Sequence, residues 1–263
     1  LNNPELSKLQ FDHRNTQLHD LDDGLLKDYD DSLKNFQKEH NLTIFHLMGQ
    51  HVNYKQRYRT KQARFWASSY EDKRPELTNA QRKMLSHYDN ATLYNDSIVA
   101  QIVKRFQKQD AIVIYVPDHG EECYEENRGF ICRNHSAEID WPLAHYEFEI
   151  PFWIYCSPKY IRNHRDIYRQ IRKAKDKRFM TDALPHLLLY LAGIETPTYK
   201  EEYNILSPKY DEMRPRILKN SADYDKLRDA YLEKEAKKKA AEEAKEKKTQ
   251  KMSKKKGSKK KKQ

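Results

Sequence analysis

The chain has 263 residues, with 50 Lys or Arg against 40 Asp or Glu and a formal net charge of +10. At 37% hydrophobic it can bury a core, but no run approaches the ~20 apolar residues of a membrane helix, and no signal peptide is visible. The charge is local: Glu233 to Gln263 holds 15 Lys and 5 Glu, which leaves 35 basic and 35 acidic residues elsewhere, so the body has no general attraction for polyanions and no nucleic-acid partner is expected.

Residues 1–38 are polar, with Asn3-Pro4 as an early break. Asp20-Leu-Asp-Asp-Gly-Leu-Leu26 predicts a turn into a helix from Leu25 to about Lys38. Asp20, Asp22 and Gly24 miss the register of a calcium loop and read as turn and capping residues. Leu42 to His51 begins as an apolar run, read as a short strand that carries His46, turns at Gly49 and delivers His51. A loop rich in Arg, Lys and Tyr covers 52–75. Thr78 then predicts the N-cap of a long helix to Gln107, burying Met84, Tyr88, Ala91, Ile98, Ile102 and Phe106. Asp89 and Asp96 share a face and read as loop anchors.

Ala111-Ile-Val-Ile-Tyr-Val116 predicts a buried parallel strand that stops at Pro117-Asp118-His119-Gly120-Glu121. A loop over 120–148, a strand over 149–156 and a helix over 180–192 with Gly193 as C-cap follow. That helix buries Leu184, Leu187, Leu188 and Leu191. Alternating strands and helices imply an α/β sandwich with a largely parallel sheet, incomplete in this chain. Residues 1–220 form the catalytic-type domain and 221–263 a charged tail, helical over about Asp225–Lys248 and disordered beyond.

Open α/β sheets bind ligands beyond the carboxyl ends of strands. A carboxylate and an imidazole there, Asp118 and His119, are ordinary ligands for zinc. His46 and His51, at a second strand end, point to the same chemistry. Of the three cysteines, Cys156 is expected buried and free, whereas Cys123 and Cys132 flank one loop at disulfide spacing.

His46-Leu-Met-Gly-Gln-His51-Val-Asn-Tyr-Lys-Gln-Arg-Tyr58 resembles the HxMGxHxxxYxxRYP signature of bacterial phosphoethanolamine transferases. Tyr88-Asp-Asn-Ala-Thr-Leu-Tyr-Asn-Asp96 resembles their YDN helix, Asp118-His-Gly-Glu121 their SDHGE, and Glu149-Ile-Pro-Phe-Trp-Ile-Tyr155 the strand after it. The resemblance covers about residues 1–215 and implies the carboxyl-terminal part of a sulfatase or alkaline-phosphatase-like catalytic domain at the periplasmic face of the inner membrane. It implies one or two zinc ions. Asp118 and His119 match the ligands of the first, and His46 a ligand of the second or a phosphate contact. His51 matches a contact to the phosphoryl group.

In that family a threonine held at the metal takes phosphoethanolamine from phosphatidylethanolamine and passes it to lipid A or another envelope glycan. Neither that threonine nor the glutamate ligand before it has a counterpart here, so the chain alone is expected to be silent. The family's later histidine falls out of register, leaving His135 and His145 as candidates. His135 is favoured because Arg133 beside it supplies a fork for phosphate. Glu121 is expected to orient a ligand imidazole, Arg57 to meet phosphate, and the Lys-rich tail to meet an anionic membrane surface. The alternatives are a sulfatase or phosphodiesterase of the same superfamily, or an inactive truncated remnant.

Overall fold

The computed structural model describes residues 19–31, 39–129, 131–134 and 138–259. His135 and the predicted helical residues 32–38 lie outside them. The chain divides into two compact units. The first takes the described residues up to Tyr115, Cys123–Cys132 and Trp153–Arg165; the second takes Val116–Glu122, Arg133–Phe152 and everything from Asp166 onward.

The first unit is organised by helix α2, Asn79–Phe106. Thr78 starts it as expected: the Gln81 amide donates to the Thr78 hydroxyl at 3.3 Å, and the Thr78 amide donates to the Gln81 side chain at 2.8 Å. Satisfying two end groups reciprocally in this way fixes where a helix begins. Ala91, Tyr94, Ile98 and Ile102 are buried with Leu26 of α1, Asp23–Asp31, and with Tyr54 and Tyr58. Met84 is 42% exposed, contrary to expectation, and Leu85 takes the core position. The partners at this end, Tyr70 and Leu77, cluster with Leu85. The Asn90 side chain accepts the amides of Arg64 and Phe65 at 2.7 and 3.1 Å and donates to the Phe65 carbonyl at 2.9 Å, fastening the basic loop to the helix. Asp89 accepts from the Tyr70 hydroxyl, whereas Asp96 is exposed.

Strand β1, Ile112–Tyr115, forms where the apolar run predicts it. Its partner is β4, Trp153–Cys156, and the pair is antiparallel, with Ile112 opposite Cys156 and Tyr115 opposite Trp153. The expectation of a largely parallel sheet is therefore not met among the described residues. Ser157 supplies the reason. It is fully buried; its hydroxyl donates to the Gln109 carbonyl at 2.6 Å and its amide to the Ala111 carbonyl at 3.0 Å. The exit of β4 is thereby fixed at the entrance of β1, which only an antiparallel pair allows.

A short hairpin pairs β2, Glu122–Cys123, with β3, Ile131–Cys132. Residues 42–47 form no strand, and Leu42 and Ile44 are 77% and 78% exposed.

His87, on α2, lies 2.9 Å from the Tyr58 hydroxyl through Nδ1. Burial, and then the charges of Lys55 and Lys83, hold its pKa below the usual histidine value. The unfolded chain therefore takes up this proton first as pH falls. The stability that neutral His87 contributes is complete above about pH 6.5 and is lost as pH drops from there toward the depressed folded value. Urea unfolding at pH 7.5 and 5.5 should show a smaller loss in His87→Gln than in the parent; an equal loss would remove His87 from the account.

In the second unit, α3 (Trp141–Phe148) occupies part of what the sequence reads as a loop. The Leu143 amide donates to Asp140 at 2.9 Å, and Pro142 sits in the first turn. Helix α4, Pro158–Asn163, belongs to the first unit, and α5, Arg165–Ala174, leads into the second. Helix α6, Leu184–Leu191, ends before Gly193 as expected and buries Leu187. Strands β5 (Ile217–Leu218) and β6 (Ala222–Asp223) form an antiparallel hairpin that opens into α7, Tyr224–Lys259.

The start of α7 is not a free tail. Tyr224 packs with Ala144 and Leu218, its hydroxyl donates to Glu149, and burial with that bond pushes its pKa up to about 12. The helix also runs past the expected limit near Lys248, to Lys259. Its Ala, Glu and Lys are strong helix formers, and pairs such as Glu233–Lys237 at 2.6 Å have helical i,i+4 spacing. Among the described residues no helix is long and apolar enough to cross a membrane.

Candidate functional site

In the first unit, Phe45 packs near the rings of Tyr29 and Phe106 at 5.4 and 6.3 Å, and its neighbour His46 is exposed. The chain then turns: the His51 amide donates to the Met48 carbonyl at 3.0 Å, and Gly49 takes a φ of +51°, a conformation that favours glycine. Asp22 holds this turn. Its carboxylate, 6% exposed, accepts the amides of Met48 and Gly49 at 3.0 and 2.9 Å. Two consecutive N–H groups on one carboxylate fix the backbone between His46 and His51.

The sequence reads Asp22 only as a turn residue, and nothing local reveals a bond to residues 26 and 27 positions away. Arg57 braces the other side, donating to the carbonyls of His51 and Val52 at 3.1 and 3.3 Å. Arg57, expected to meet phosphate, thus braces the backbone of this turn. The Gln50 side chain donates to Thr92 at 3.2 Å. Tyr54 and Tyr58, the aromatic part of the same motif, are core residues at 3% and 8% exposure. His51 is exposed, so the motif joins a buried aromatic anchor to two accessible imidazoles.

In the second unit, His119 Nδ1 lies 2.7 Å from the Gly120 carbonyl. That contact assigns the ring proton to Nδ1 and leaves the lone pair on Nε2. Nε2 is in contact with the Arg133 guanidinium and lies 3.7 Å from an oxygen of Asp118, whose side chain is 86% exposed. Gly120 is required by close approach. Its amide donates to the Glu147 carbonyl at 2.8 Å, and a Cβ there would stand 2.3 Å from the Tyr146 carbonyl oxygen.

Glu121 is half-buried; its neighbour Glu122 is buried at 1% exposure. His145 lies within α3, stacked on Trp141 at 5.5 Å and 13°, with Nδ1 2.9 Å from a carboxylate oxygen of Glu149. Cys123, Cys132 and Cys156 are free thiols, and burial pushes the Cys156 pKa up.

The donor chemistry fits zinc in part. Two ligands of one tetrahedral zinc, bonded at about 2.0–2.2 Å, stand roughly 3.3–3.6 Å apart. The 3.7 Å between Asp118 and His119 Nε2 is close to that, but the Arg133 guanidinium rests on the same Nε2 and would have to move aside for a metal. No third His, Cys, Asp or Glu joins them in a metal-sized cluster among the described residues.

The sulfatase family model matches residues 1–194. The chain belongs to the sulfatase family. It is 31% identical over 222 residues to phosphoethanolamine transferase EptC of Escherichia coli O18:K1:H7, covering 81% of this chain and 37% of that protein. It is 32% identical over 162 residues to Kdo(2)-lipid A phosphoethanolamine 7''-transferase of Escherichia coli K12, covering 60% of this chain and 27% of that protein. The chain thus spans little more than a third of the curated relative with the longer match.

The crystal structure of the C-terminal periplasmic domain of EcEptC from Escherichia coli in complex with Zn superposes with a TM-score of 0.63 at 27% identity, over 81% of this chain and 59% of that one. The corresponding domain of EptC from Campylobacter jejuni, at 23% identity, shares the fold with a TM-score of 0.60 over 78% of this chain and 63% of that one. The α/β, sulfatase-like class expected from the sequence therefore holds, and the relatives are phosphoethanolamine transferases.

Proposed function

We propose that this chain is the carboxyl-terminal part of a zinc-dependent phosphoethanolamine transferase acting at the periplasmic face of the inner membrane. The donor is phosphatidylethanolamine and the acceptor is lipid A or another envelope glycan. The observation that carries this reading is His119, with its proton on Nδ1 and its Nε2 turned toward Asp118 and Arg133. Asp118 and His119 would hold zinc, and His46 would serve a second metal or the phosphate. Bound zinc would neutralise charge on a phosphoryl oxygen and lower the pKa of a hydroxyl. Arg133 lies against His119 and supplies donors for phosphate oxygens. His51 and His135 would contact the transferring group, and Glu121 would orient a ligand ring.

The chain supplies no counterpart of the family's threonine nucleophile. Without it the covalent intermediate of a two-step transfer cannot form. The test uses labelled phosphatidylethanolamine, zinc and a lipid A acceptor. The natural gene product carrying this sequence should transfer label, and a chelator should stop it. The 263-residue chain alone should gain no phosphoethanolamine adduct. An adduct mapped to any residue of the chain would place the nucleophile inside it, and sulfate-ester hydrolysis without transfer would favour the sulfatase alternative.

The Lys-rich end of α7 is proposed to lie on anionic head groups, at about 1 kcal/mol per basic residue near the surface. Deleting residues from Glu233 onward should leave transfer to a soluble acceptor analogue unchanged and weaken binding to anionic vesicles at low salt. A large loss of turnover with the soluble analogue would contradict this.

A further inference from the structure

We propose that Glu147 is a positioning residue that sets His119 and Arg133 against each other. Its catalytic consequence rests on the reading of His119 given above. Glu147 lies in the last turn of α3 and is 2% exposed. Its main-chain carbonyl accepts the amide of Gly120, the residue after His119, at 2.8 Å. Its side chain accepts the amide of Asn134, the residue after Arg133, at 2.6 Å.

One residue therefore grips two stretches of chain immediately beyond the two side chains that touch. Gly120 lets the first stretch approach: the backbone oxygens of Tyr146 and Glu149 would be 2.3 and 3.3 Å from a Cβ there. The carboxylate fixes the second. A buried, charge-assisted bond of this kind holds its partner in one place.

The test uses the 263-residue chain, 15N-labelled, with Glu147→Ala and Glu147→Gln. Glutamine keeps an oxygen able to accept the Asn134 amide, whereas alanine does not. Glu147→Ala should displace the His119 ring nitrogen signals and change zinc affinity, measured against a chromophoric chelator, because Arg133 touches the ring nitrogen that would bind the metal. Glu147→Gln should restore both to near the parent values. Should Glu147→Ala fail to fold, Asn134→Pro removes the donated N–H with Glu147 in place and should displace the same signals.

Unchanged His119 signals in the variant lacking the bond, or a glutamine variant as impaired as alanine, would overturn the proposal. If the parent chain binds no zinc and Asp118→Asn leaves the natural gene product active, the metal reading fails instead. The ring signals still decide the role of Glu147 in that case.

Discussion

Replacing Asp118 by Asn, or His119 by Ala, is expected to remove most bound zinc from the natural gene product and to abolish transfer. Asp118→Asn changes little in size but removes the negative charge that a divalent cation needs, and the carboxylate is 86% exposed, so little of the fold depends on it. His119→Ala removes the only imidazole that pairs a carbonyl-bound Nδ1 with an Nε2 near that carboxylate among the described residues. Loss of an inner ligand should exceed the ~10–100-fold typical of residues behind it. Elemental analysis of each variant, run beside the transfer assay, measures both effects. Full zinc occupancy in both variants would sink the assignment of these two residues.

Gly120→Ala should be a damaging substitution. Its Cβ would meet the Tyr146 carbonyl oxygen at 2.3 Å and the Glu149 carbonyl oxygen at 3.3 Å. Both atoms are backbone and cannot swing aside, so α3 or the Asp-His-Gly segment must move. Overpacking of this kind costs about 1–3 kcal/mol, and the upper end is expected here. A lowering of Tm by several degrees should accompany it, with displaced His119 ring signals. Gly120→Ala as stable as the parent would mean that α3 yields more easily than its packing suggests.

Local signals carry much of the fold in the sequence. Thr78 announces the start of α2, the apolar run announces β1, and both are where expected. Asp140-Trp141-Pro142 is an equally good helix start, since a capping Asp followed by Pro in the first turn is a recognised signal. The length of the surrounding polar stretch hides it.

The direction of β4 is not legible, because it depends on Ser157 meeting Gln109 and Ala111 across the sheet. The candidate site divides the same way. Residue identity points to Asp118, His119, His46 and His51, since chemistry is written in side-chain type. Asp22, Arg57 and Glu147 act through main-chain partners elsewhere in the sequence, and no composition or spacing encodes such a bond.

The stretch Leu42–Leu47 has a cost in solution. Among the described residues its backbone pairs with no strand, Leu42 and Ile44 are largely exposed, and Thr43, Phe45 and His46 complete a segment with no proline, Asp, Glu, Lys or Arg gatekeeper. Such a segment is a template for strand addition by a second molecule, and about six residues suffice to seed a tightly interdigitated assembly. The solubility of this polypeptide should then be limited by concentration in spite of its high charge, which resides mainly in the last helix. Ile44→Lys is the simplest remedy, because a charge on the open face opposes stacking without touching the Phe45 side.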